Sequence, residues 1–196
     1  MSGTSTQIPS SATLVEDAHL QLAGANPWEV LKWGLGSFPT GRIALCTAFQ
    51  DEGMVLLDMA WKIDPAISVF TIDSGRLPQE TLDLIEEVRE RYRISVEVVY
   101  PDAAEVSALV SRHGPNLFYQ SPDLRLSCCA VRKVNPLRRR LSSLGAWISG
   151  LRRQQNPERS EIGVVESDEV HNGIVKLHPL WGLSPEQVLE YVASNP

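Results

Sequence analysis

Two adjacent cysteines, Cys128 and Cys129, are followed at one-turn helical spacing by Arg132 and Lys133. Neighbouring cysteines are poor partners for a structural disulfide, because the ring that would close is too short for relaxed disulfide geometry. Nearby cationic groups favour the thiolate form of a cysteine, which is the form that ligates metals and takes part in redox chemistry. The pattern therefore indicates sulfur or iron chemistry beside a bound polyanion.

A second basic segment contains Arg152, Arg153 and Arg159. Between positions 132 and 159 there are eight basic residues and one acidic residue, although the net charge of the whole chain is −6. Guanidinium groups bind phosphate and sulfate through paired, charge-assisted hydrogen bonds. The segment is therefore either an oxyanion site or a solvated basic loop. The acidic remainder of the chain argues against general binding to nucleic acid or to a membrane surface.

The order of apolar runs predicts an α/β fold. The predicted strands are 42–47, 67–72, 95–100 and 146–149, with short strand candidates at 164–165 and 174–177, and 114–127 is predicted to be a loop. The predicted helices are 13–25, a helix from Asn26 to about 34–39, and 54–61, 78–92, 103–113, 128–140 and 184–193. Asn26 with Glu29, and Ser184 with Gln187, are predicted to cap the starts of their helices. Alternating strands and helices predict a parallel twisted sheet with helices on both faces. Ligands of such sheets lie outside the carboxyl ends of the strands. Thr47, Asp73 and Gly150 follow predicted strands, so we expect them to converge on one pocket.

Residues 14–196 are predicted to form a single domain after a disordered tail, residues 1–13, which is rich in Ser, Thr and Gly. The sequence has no apolar run approaching the roughly 18 residues of a membrane span. Three cysteines, two of them adjacent, indicate a reducing compartment, so we expect a cytoplasmic protein.

The two motifs resemble those of the assimilatory adenylyl-sulfate and phosphoadenylyl-sulfate reductases. The matching residues are Cys-Cys-x-x-Arg-Lys-x-x-Pro-Leu at 128–137 and, after a tryptophan-containing strand, Gly-Leu-Arg-Arg-x-Gln at 150–155. The resemblance runs from about Ile43 to Tyr191. It implies a Rossmann-like fold of the adenine-nucleotide alpha-hydrolase-like, pyrophosphate-loop kind. It also implies thioredoxin-dependent reduction of adenylyl sulfate to sulfite and AMP in sulfate assimilation.

The resemblance also implies roles for particular residues. In the family the first strand, loop and helix hold the substrate sulfate, an Asp-Thr-Gly turn contacts the nucleotide, and an arginine loop closes on phosphate or sulfate. The matching positions here are Thr47 and Glu52 in the first loop, Asp73, Ser74 and Gly75 in the turn, and Arg152, Arg153 and Arg159 in the arginine loop. Lys133 would supply an ammonium beside the substrate sulfate. In the first loop, Phe49, Gln50 and Gly53 depart from the family's pattern.

The cysteine pair matches two of the four thiolate ligands of a four-iron, four-sulfur cluster in the adenylyl-sulfate branch of the family. The resemblance therefore implies that Cys128 and Cys129 bind such a cluster, and it favours adenylyl sulfate over phosphoadenylyl sulfate. The remaining cysteine, Cys46, lies on the first predicted strand and is expected to be a small buried residue. His178, beside Pro179, is expected to pack or to form hydrogen bonds.

Family members continue past the helix that matches 184–193 into a segment with two further cluster cysteines and a nucleophilic cysteine. That cysteine would attack the substrate sulfur, release AMP and then surrender sulfite to thioredoxin or glutaredoxin. The sequence ends at Pro196. We therefore expect the chain as given to lack the catalytic cysteine and to be inactive.

Three alternatives remain open at this point. The first is reduction of phosphoadenylyl sulfate, and the second is a non-catalytic adenine-nucleotide-binding module, which the altered first loop favours. The third is RNA binding through the arginine-rich segment, although the segment lacks interleaved aromatic residues. The sequence leaves room for a homo-oligomer.

Overall fold

The computed structural model describes residues 11–153 and 163–195. Within these residues six strands form one sheet, in the order β3-β2-β1-β4-β6-β5. The strands are β1 Ile43–Cys46, β2 Ser68–Ile72, β3 Val96–Val99, β4 Ala146–Ile148, β5 Val165–Asp168 and β6 Ile174–Leu177. The α-helices are α1 Ser11–Gln21, α2 Pro27–Ser37, α3 Asp51–Ile63, α4 Gln79–Tyr92, α5 Ala103–His113, α6 Pro122–Cys129, α7 Asn135–Leu141 and α8 Pro185–Ser194.

The sheet is covered by helices on both faces, as the sequence predicts. Successive side chains of a strand point to opposite faces. Ile43 and Leu45 of β1 belong to the apolar cluster formed with α1, α2, α3, α4 and α8. Ala44, between them, belongs to the opposite cluster, which includes Leu141 of α7. The central strands are thus apolar on both sides, as buried parallel strands must be.

Local sequence decides where two of the helices begin. Asn26 accepts hydrogen bonds from the backbone N–H groups of Trp28 and Glu29, and the Glu29 carboxylate accepts from the N–H of Asn26 at 2.7 Å. Ser184 and Gln187 form the same reciprocal arrangement at the start of α8. These two capping boxes satisfy N–H groups that a helix start otherwise leaves unpaired, and they confirm both predicted helix starts.

The expectation of a parallel sheet holds for five of the six described strands, whereas β5 runs antiparallel to β6. The chain turns back after β5 through Asn172 and Gly173, which have φ values of 63° and 69°. Left-handed backbone at an Asn-Gly pair is typical of a tight reversal. A connection this short cannot make a parallel crossover, so β5 returns beside β6 in the opposite direction.

The predicted loop at 114–127 is wrong in part, because α6 begins at Pro122. Ser121 caps this helix by accepting a hydrogen bond from the N–H of Leu124 at 3.2 Å. Ser followed by Pro is a helix-start signal. The cysteine pair therefore ends a helix rather than beginning one, and the chain then makes a π-helical turn over Ala130–Val134 before α7.

Two smaller expectations also change. The first described helix includes Ser11 to Thr13, which the sequence assigned to the tail, whereas residues 1–10 lie outside the described residues. From the sequence, Arg138 to Arg140 are expected to form an exposed charged face, and Arg138 and Arg139 are exposed. Arg140 instead contacts Glu97 of β3 at 2.7 Å and lies over the ring of Phe70. Arg139 donates to the carbonyl of Tyr100, so both arginines fasten α7 to the β3 edge.

Across the described ranges, the model contains no helix that combines the length and the apolar character needed to cross a bilayer.

Two glycines of α2 test how tightly this helix packs on the sheet. A Cβ at Gly34 would lie 2.4 Å from Cδ2 of Leu177, which is fully buried, whereas a Cβ at Gly36 would meet no atom within 4 Å. We expect Gly34→Ala to lower the free energy of unfolding by about 1–3 kcal/mol through overpacking. We expect Gly36→Ala to raise it by about 0.5–1 kcal/mol, because alanine has the higher helix propensity. Denaturant titration measures both, and a shift in the same direction for the two variants would contradict this packing.

Candidate functional site

Two cavities open at the carboxyl edge of the sheet. The first, here called the Thr47 cavity, has a volume of about 350 Å³ and lies between the ends of β1 and β4 and the start of α3. The second, here called the cysteine cavity, also has a volume of about 350 Å³ and lies between the turn after β2 and α6. The Thr47 cavity is lined by Cys46, Thr47, Gln50, Glu52, Gly53, Trp147, Ser149, Gly150 and Lys176, among others. The cysteine cavity is lined by Ser74, Arg76, Leu77, Phe118, Arg125, Cys128, Cys129, Arg132 and Lys133.

Glycines allow α3 to approach the Thr47 cavity closely. A Cβ at Gly53 would lie 2.2 Å from Oγ1 of Thr47, and a Cβ at Gly150 would lie 3.1 Å from the Cβ of Glu52. Thr47 Oγ1 is occupied, since it accepts a hydrogen bond from the N–H of Phe49 at 2.9 Å. Phe49 itself is buried in the core with a left-handed φ of 57°. The departures at Phe49 and Gly53 therefore serve packing on this side of the loop.

The two cations beside the Thr47 cavity are each paired with a carboxylate. Arg152 is buried, and its Nε and Nη2 atoms lie 2.8 and 2.7 Å from Oε1 of Glu52. Lys176 Nζ lies 3.1 Å from Oε1 of Glu166. This cavity therefore presents ion pairs and backbone groups rather than unbalanced positive charge.

A buried histidine lies behind the Thr47 cavity. His178 has no exposed surface. Its Nδ1 lies 2.9 Å from Oγ of Ser149 and its Nε2 lies 2.9 Å from Oε1 of Glu166. Burial lowers the pKa of His178 despite the hydrogen bond to Glu166. Burial alone would raise the pKa of Glu166, but hydrogen bonds and charge from His178 and Lys176 lower it overall.

At neutral pH these shifts leave a neutral imidazole beside a carboxylate. Nε2 of His178 then donates to Glu166, and Nδ1 accepts from the Ser149 hydroxyl. The expectation that His178 forms hydrogen bonds is confirmed.

The cysteine cavity has the opposite charge character. Four cations line it, namely Arg76, Arg125, Arg132 and Lys133, and its described lining residues include no carboxylate. Arg132 is buried and donates from Nη1 to the carbonyl of Ser74 at 2.6 Å. Arg76 donates to the amide oxygen of Asn116 at 2.8 Å. Because both partners are neutral, the positive charge of the cavity is not offset, and an anion there would be strongly favoured.

The cysteine pair divides between buried and exposed positions. Cys128 is buried together with Arg132, and Cys129 is exposed together with Lys133, so the predicted face-sharing is confirmed. Cys46 lies at the other cavity, where burial raises the pKa of its thiol to about 12. It is therefore a neutral thiol at physiological pH. In the part of the chain that is described, no cluster of three or more His, Cys, Asp or Glu side chains is placed to hold a metal ion.

Comparison with known proteins decides the family. The sequence profile described as the phosphoadenosine phosphosulfate reductase domain matches residues 42–196. The chain belongs to this family.

Curated relatives agree with that assignment. An adenosine 5′-phosphosulfate reductase of Burkholderia cepacia is 38% identical over 151 residues, which are 77% of this chain and 60% of the relative. One from Pseudomonas aeruginosa (strain LESB58) is 37% identical over 177 residues, 87% of this chain and 64% of the relative. The chain thus spans less than two thirds of the length of these relatives.

Solved structures agree on the fold. The phosphate complex of phosphoadenylyl-sulfate reductase from Candida auris superposes with a TM-score of 0.75 at 28% identity, covering 100% of this chain and 88% of that one. FMN adenylyltransferase from Candida glabrata, with FAD and inorganic pyrophosphate, gives 0.59 at 14% identity over 100% of this chain and 61% of that one, and so shows a shared fold only. The fold is adenine-nucleotide alpha-hydrolase-like, as the sequence resemblance implies.

The predicted site residues of this reductase-family chain separate into two groups. Thr47, Glu52 and Arg152 lie at the Thr47 cavity, and Ser74, Lys133 and both cysteines line the other. Thr47 and Gly150 line the same cavity, as expected, whereas Asp73 lines neither of the two. The Asp73 carboxylate accepts from the N–H of Gly75 at 2.7 Å and so stabilises the turn. Arg132 donates to the carbonyl of Ser74 and so joins this turn to the helical segment that follows the cysteines. Ser74 therefore lines the cysteine cavity.

The arginine loop is described only in part. Arg153 is exposed, and its backbone N–H donates to the carbonyl of Trp181 at 3.1 Å. Arg159 lies outside the described residues.

Four polar residues that line the two cavities are not among those expected from the sequence, namely Arg76, Arg125, Ser149 and Lys176. The pairing register of β4 with β6 places Lys176 beside Trp147. Had that register been predicted, Lys176 would have been expected at this cavity.

A double-mutant cycle tests the contact between Gly53 and Thr47. We expect Gly53→Ala to lower the free energy of unfolding by about 1–3 kcal/mol, because the new Cβ clashes with Oγ1 of Thr47. We expect Thr47→Ala to cost about 1 kcal/mol through the lost hydrogen bond to the N–H of Phe49. The double variant should be close to Thr47→Ala alone, since the clashing atom is gone. Additive losses in denaturant titrations would show that this contact does not limit the approach of α3.

Proposed function

We propose that this chain binds adenylyl sulfate, with the nucleoside in the Thr47 cavity and the phosphosulfate in the cysteine cavity, as the nucleotide-binding part of an adenylyl-sulfate reductase. The observation that supports this most strongly is the division of charge between the two cavities. The ligand has the same division, because its adenosine is neutral and its phosphosulfate group carries all of its negative charge. The curated relatives at 37–38% identity are named for adenosine 5′-phosphosulfate, which favours that substrate over phosphoadenylyl sulfate.

This orientation differs from the expectation that the sulfate lies in the first loop. A helix start attracts anions through its free N–H groups and its dipole. The first turn of α3 already carries two carboxylates, Asp51 and Glu52. A sulfate there would meet like charge, whereas at the cysteine cavity it would meet four cations.

Each site residue has a proposed role in this arrangement. Lys133, an exposed ammonium at the mouth of the cysteine cavity, would contact the sulfate. Ser74 and Gly75 would place backbone groups against the nucleotide, and Arg132 would hold that turn. Thr47, Glu52 and Arg152 would form the wall around the nucleoside, while Asp73 would act through the turn. Arg153 and Arg159 would close over the charged group.

The proposed reaction begins with attack of a cysteine thiolate on the substrate sulfur. The bond from sulfur to the phosphate oxygen breaks, AMP leaves, and a thiosulfonate forms on the cysteine. A dithiol such as thioredoxin or glutaredoxin then displaces sulfite and becomes a disulfide. The cations of the cysteine cavity would stabilise the charge that develops on AMP. We assign none of the three cysteines of this sequence as the nucleophile, because Cys46 is a neutral thiol and the other two are proposed ligands.

A four-iron, four-sulfur cluster takes four cysteine thiolates. The described residues place two thiols at one cavity, and Cys46 lies at the other. They therefore fit half of the ligand set, and we propose Cys128 and Cys129 as that half. Such a cluster would adjust the electrostatics of the site rather than carry electrons.

Nucleotide binding tests the proposed orientation. We expect Lys133→Met to weaken binding of adenylyl sulfate by roughly tenfold or more, the value of a hydrogen bond to a charged group. Binding of adenosine should be unchanged, because the nucleoside lies in the other cavity. Calorimetric titration of both ligands measures this, with Lys32→Met on the exposed side of α2 as the control. Equal weakening of both ligands, or of neither, would contradict the orientation.

Metal analysis tests the ligand proposal. We expect protein purified without oxygen to contain iron and acid-labile sulfide, and we expect both to be absent from the Cys128→Ser/Cys129→Ser variant. Cys46→Ser is the matched control and should retain them. Iron that persists in the double variant, or its absence from the unsubstituted chain, would contradict the assignment.

A further inference from the structure

Lys176 is a cation on the wall of the Thr47 cavity to which the sequence motifs assign no role. Its Nζ lies 5.0 Å from the ring centroid of Trp147 and 3.1 Å from Oε1 of Glu166. The Lys176 side chain is 17% exposed, so the ammonium is largely enclosed by these two neighbours. It therefore presents to the cavity as one half of an ion pair rather than as a free cation.

The position of the Glu166 carboxylate is fixed by a hydrogen bond to His178. His178, which is fully buried, lies 2.9 Å from the same Oε1 atom and 2.9 Å from the Ser149 hydroxyl. Because burial lowers the pKa of His178, the histidine is neutral, and among the described residues Lys176 is the cation that offsets the charge of Glu166. The neighbouring Asp168 is occupied by Trp147 Nε1 at 3.1 Å and by His171 Nδ1 at 2.8 Å. The carboxylate of Glu166 therefore cannot swing away without breaking a buried hydrogen bond.

A fixed ammonium and carboxylate side by side match a hydroxyl group. A hydroxyl accepts a hydrogen bond from the ammonium and donates one to the carboxylate, whereas a purine ring nitrogen only accepts or only donates. The ribose of a nucleoside in the Thr47 cavity offers such hydroxyls. A phosphate in the same place would be repelled by Glu166 and could not replace Glu166 as the ion-pair partner of Lys176.

We propose that the Lys176–Glu166 pair determines nucleotide specificity, by accepting a free ribose 3′-hydroxyl and rejecting a 3′-phosphate. This inference rests on the proposed function, since it requires the nucleoside to occupy the Thr47 cavity. It assigns to Lys176 direct contact with the ribose. It makes Glu166 the group that discriminates and His178 a positioning residue for Glu166.

The test compares two nucleotides that do not react, adenosine 5′-monophosphate and adenosine 3′,5′-bisphosphate. We expect the unsubstituted chain to prefer the monophosphate. Glu166→Gln should shift the ratio of the two dissociation constants toward the bisphosphate by about tenfold, because it removes the like charge and leaves the ammonium uncompensated. Adding Lys176→Met to Glu166→Gln should abolish that shift.

Glu169→Gln is the matched control. Glu169 follows β5, is exposed, and hydrogen-bonds to Oγ of Ser167 at 2.6 Å. This variant removes the same charge from the same region of the sheet edge without contacting Lys176, so the ratio should not change. An unchanged ratio in folded Glu166→Gln protein, or an equal shift in Glu169→Gln, would overturn the inference.

A ligand-side measurement keeps the inference testable if Glu166→Gln does not fold. The 3′-deoxy analogue of adenosine 5′-monophosphate should bind the unsubstituted chain more weakly than the monophosphate itself, and Lys176→Met should reduce this difference. Equal binding of the two to the unsubstituted chain would show that no group recognises the 3′-hydroxyl. Binding of the monophosphate without sensitivity to the 3′ position overturns only this inference, whereas failure of every nucleotide to bind overturns the proposed function as well.

Discussion

The contact of α3 with the carboxyl ends of β1 and β4 is the constraint on which the rest of the site depends. The helix starts so close to these strands that a Cβ at Gly53 would clash with Oγ1 of Thr47, and a Cβ at Gly150 would be tightly packed against Glu52. This approach places Glu52 against Arg152 and so fixes the segment that leaves β4. It also forms one wall of the Thr47 cavity. A larger separation would open the cavity to solvent and release the buried guanidinium from its carboxylate partner, which is costly for a buried charge.

The same edge of the sheet carries two different electrostatic environments. At the Thr47 cavity, strands and helix bring carboxylates together with cations. At the cysteine cavity, the carbonyl of Ser74 in the turn after β2 accepts a hydrogen bond from Arg132, and the described lining residues include no carboxylate that would offset the cations. The π-helical turn at Ala130–Val134 lies within this second environment, and such turns are frequent at functional sites. An anionic group is therefore favoured at the second environment over the first.

The antiparallel edge strand β5 adds polar groups to a sheet that is otherwise apolar. It brings Glu166 to Lys176 and His178, and it brings Asp168 to Trp147 and His171. The groups are largely buried, and each of the four contacts has a defined partner, whereas Nε2 of His171 is buried without a hydrogen-bond partner among the described residues. The histidine at the centre of the network, His178, has no exposed surface. A short hairpin at the edge of the sheet thus supplies Lys176 to the wall of a cavity formed by other elements.

The sequence by itself determined most of the elements and their chemistry, because these depend on neighbours along the chain. The capping residues at Asn26 and Ser184 set helix starts, alternating apolar runs gave the buried strands, and the motif at Cys128 to Lys133 identified the family. Only the tertiary structure decided which groups share a cavity. The pairing of Lys176 with Glu166 and the burial of His178 depend on strand order and on the antiparallel return of β5. Which strands become neighbours, and in which direction they run, is not recorded in any local pattern of the sequence.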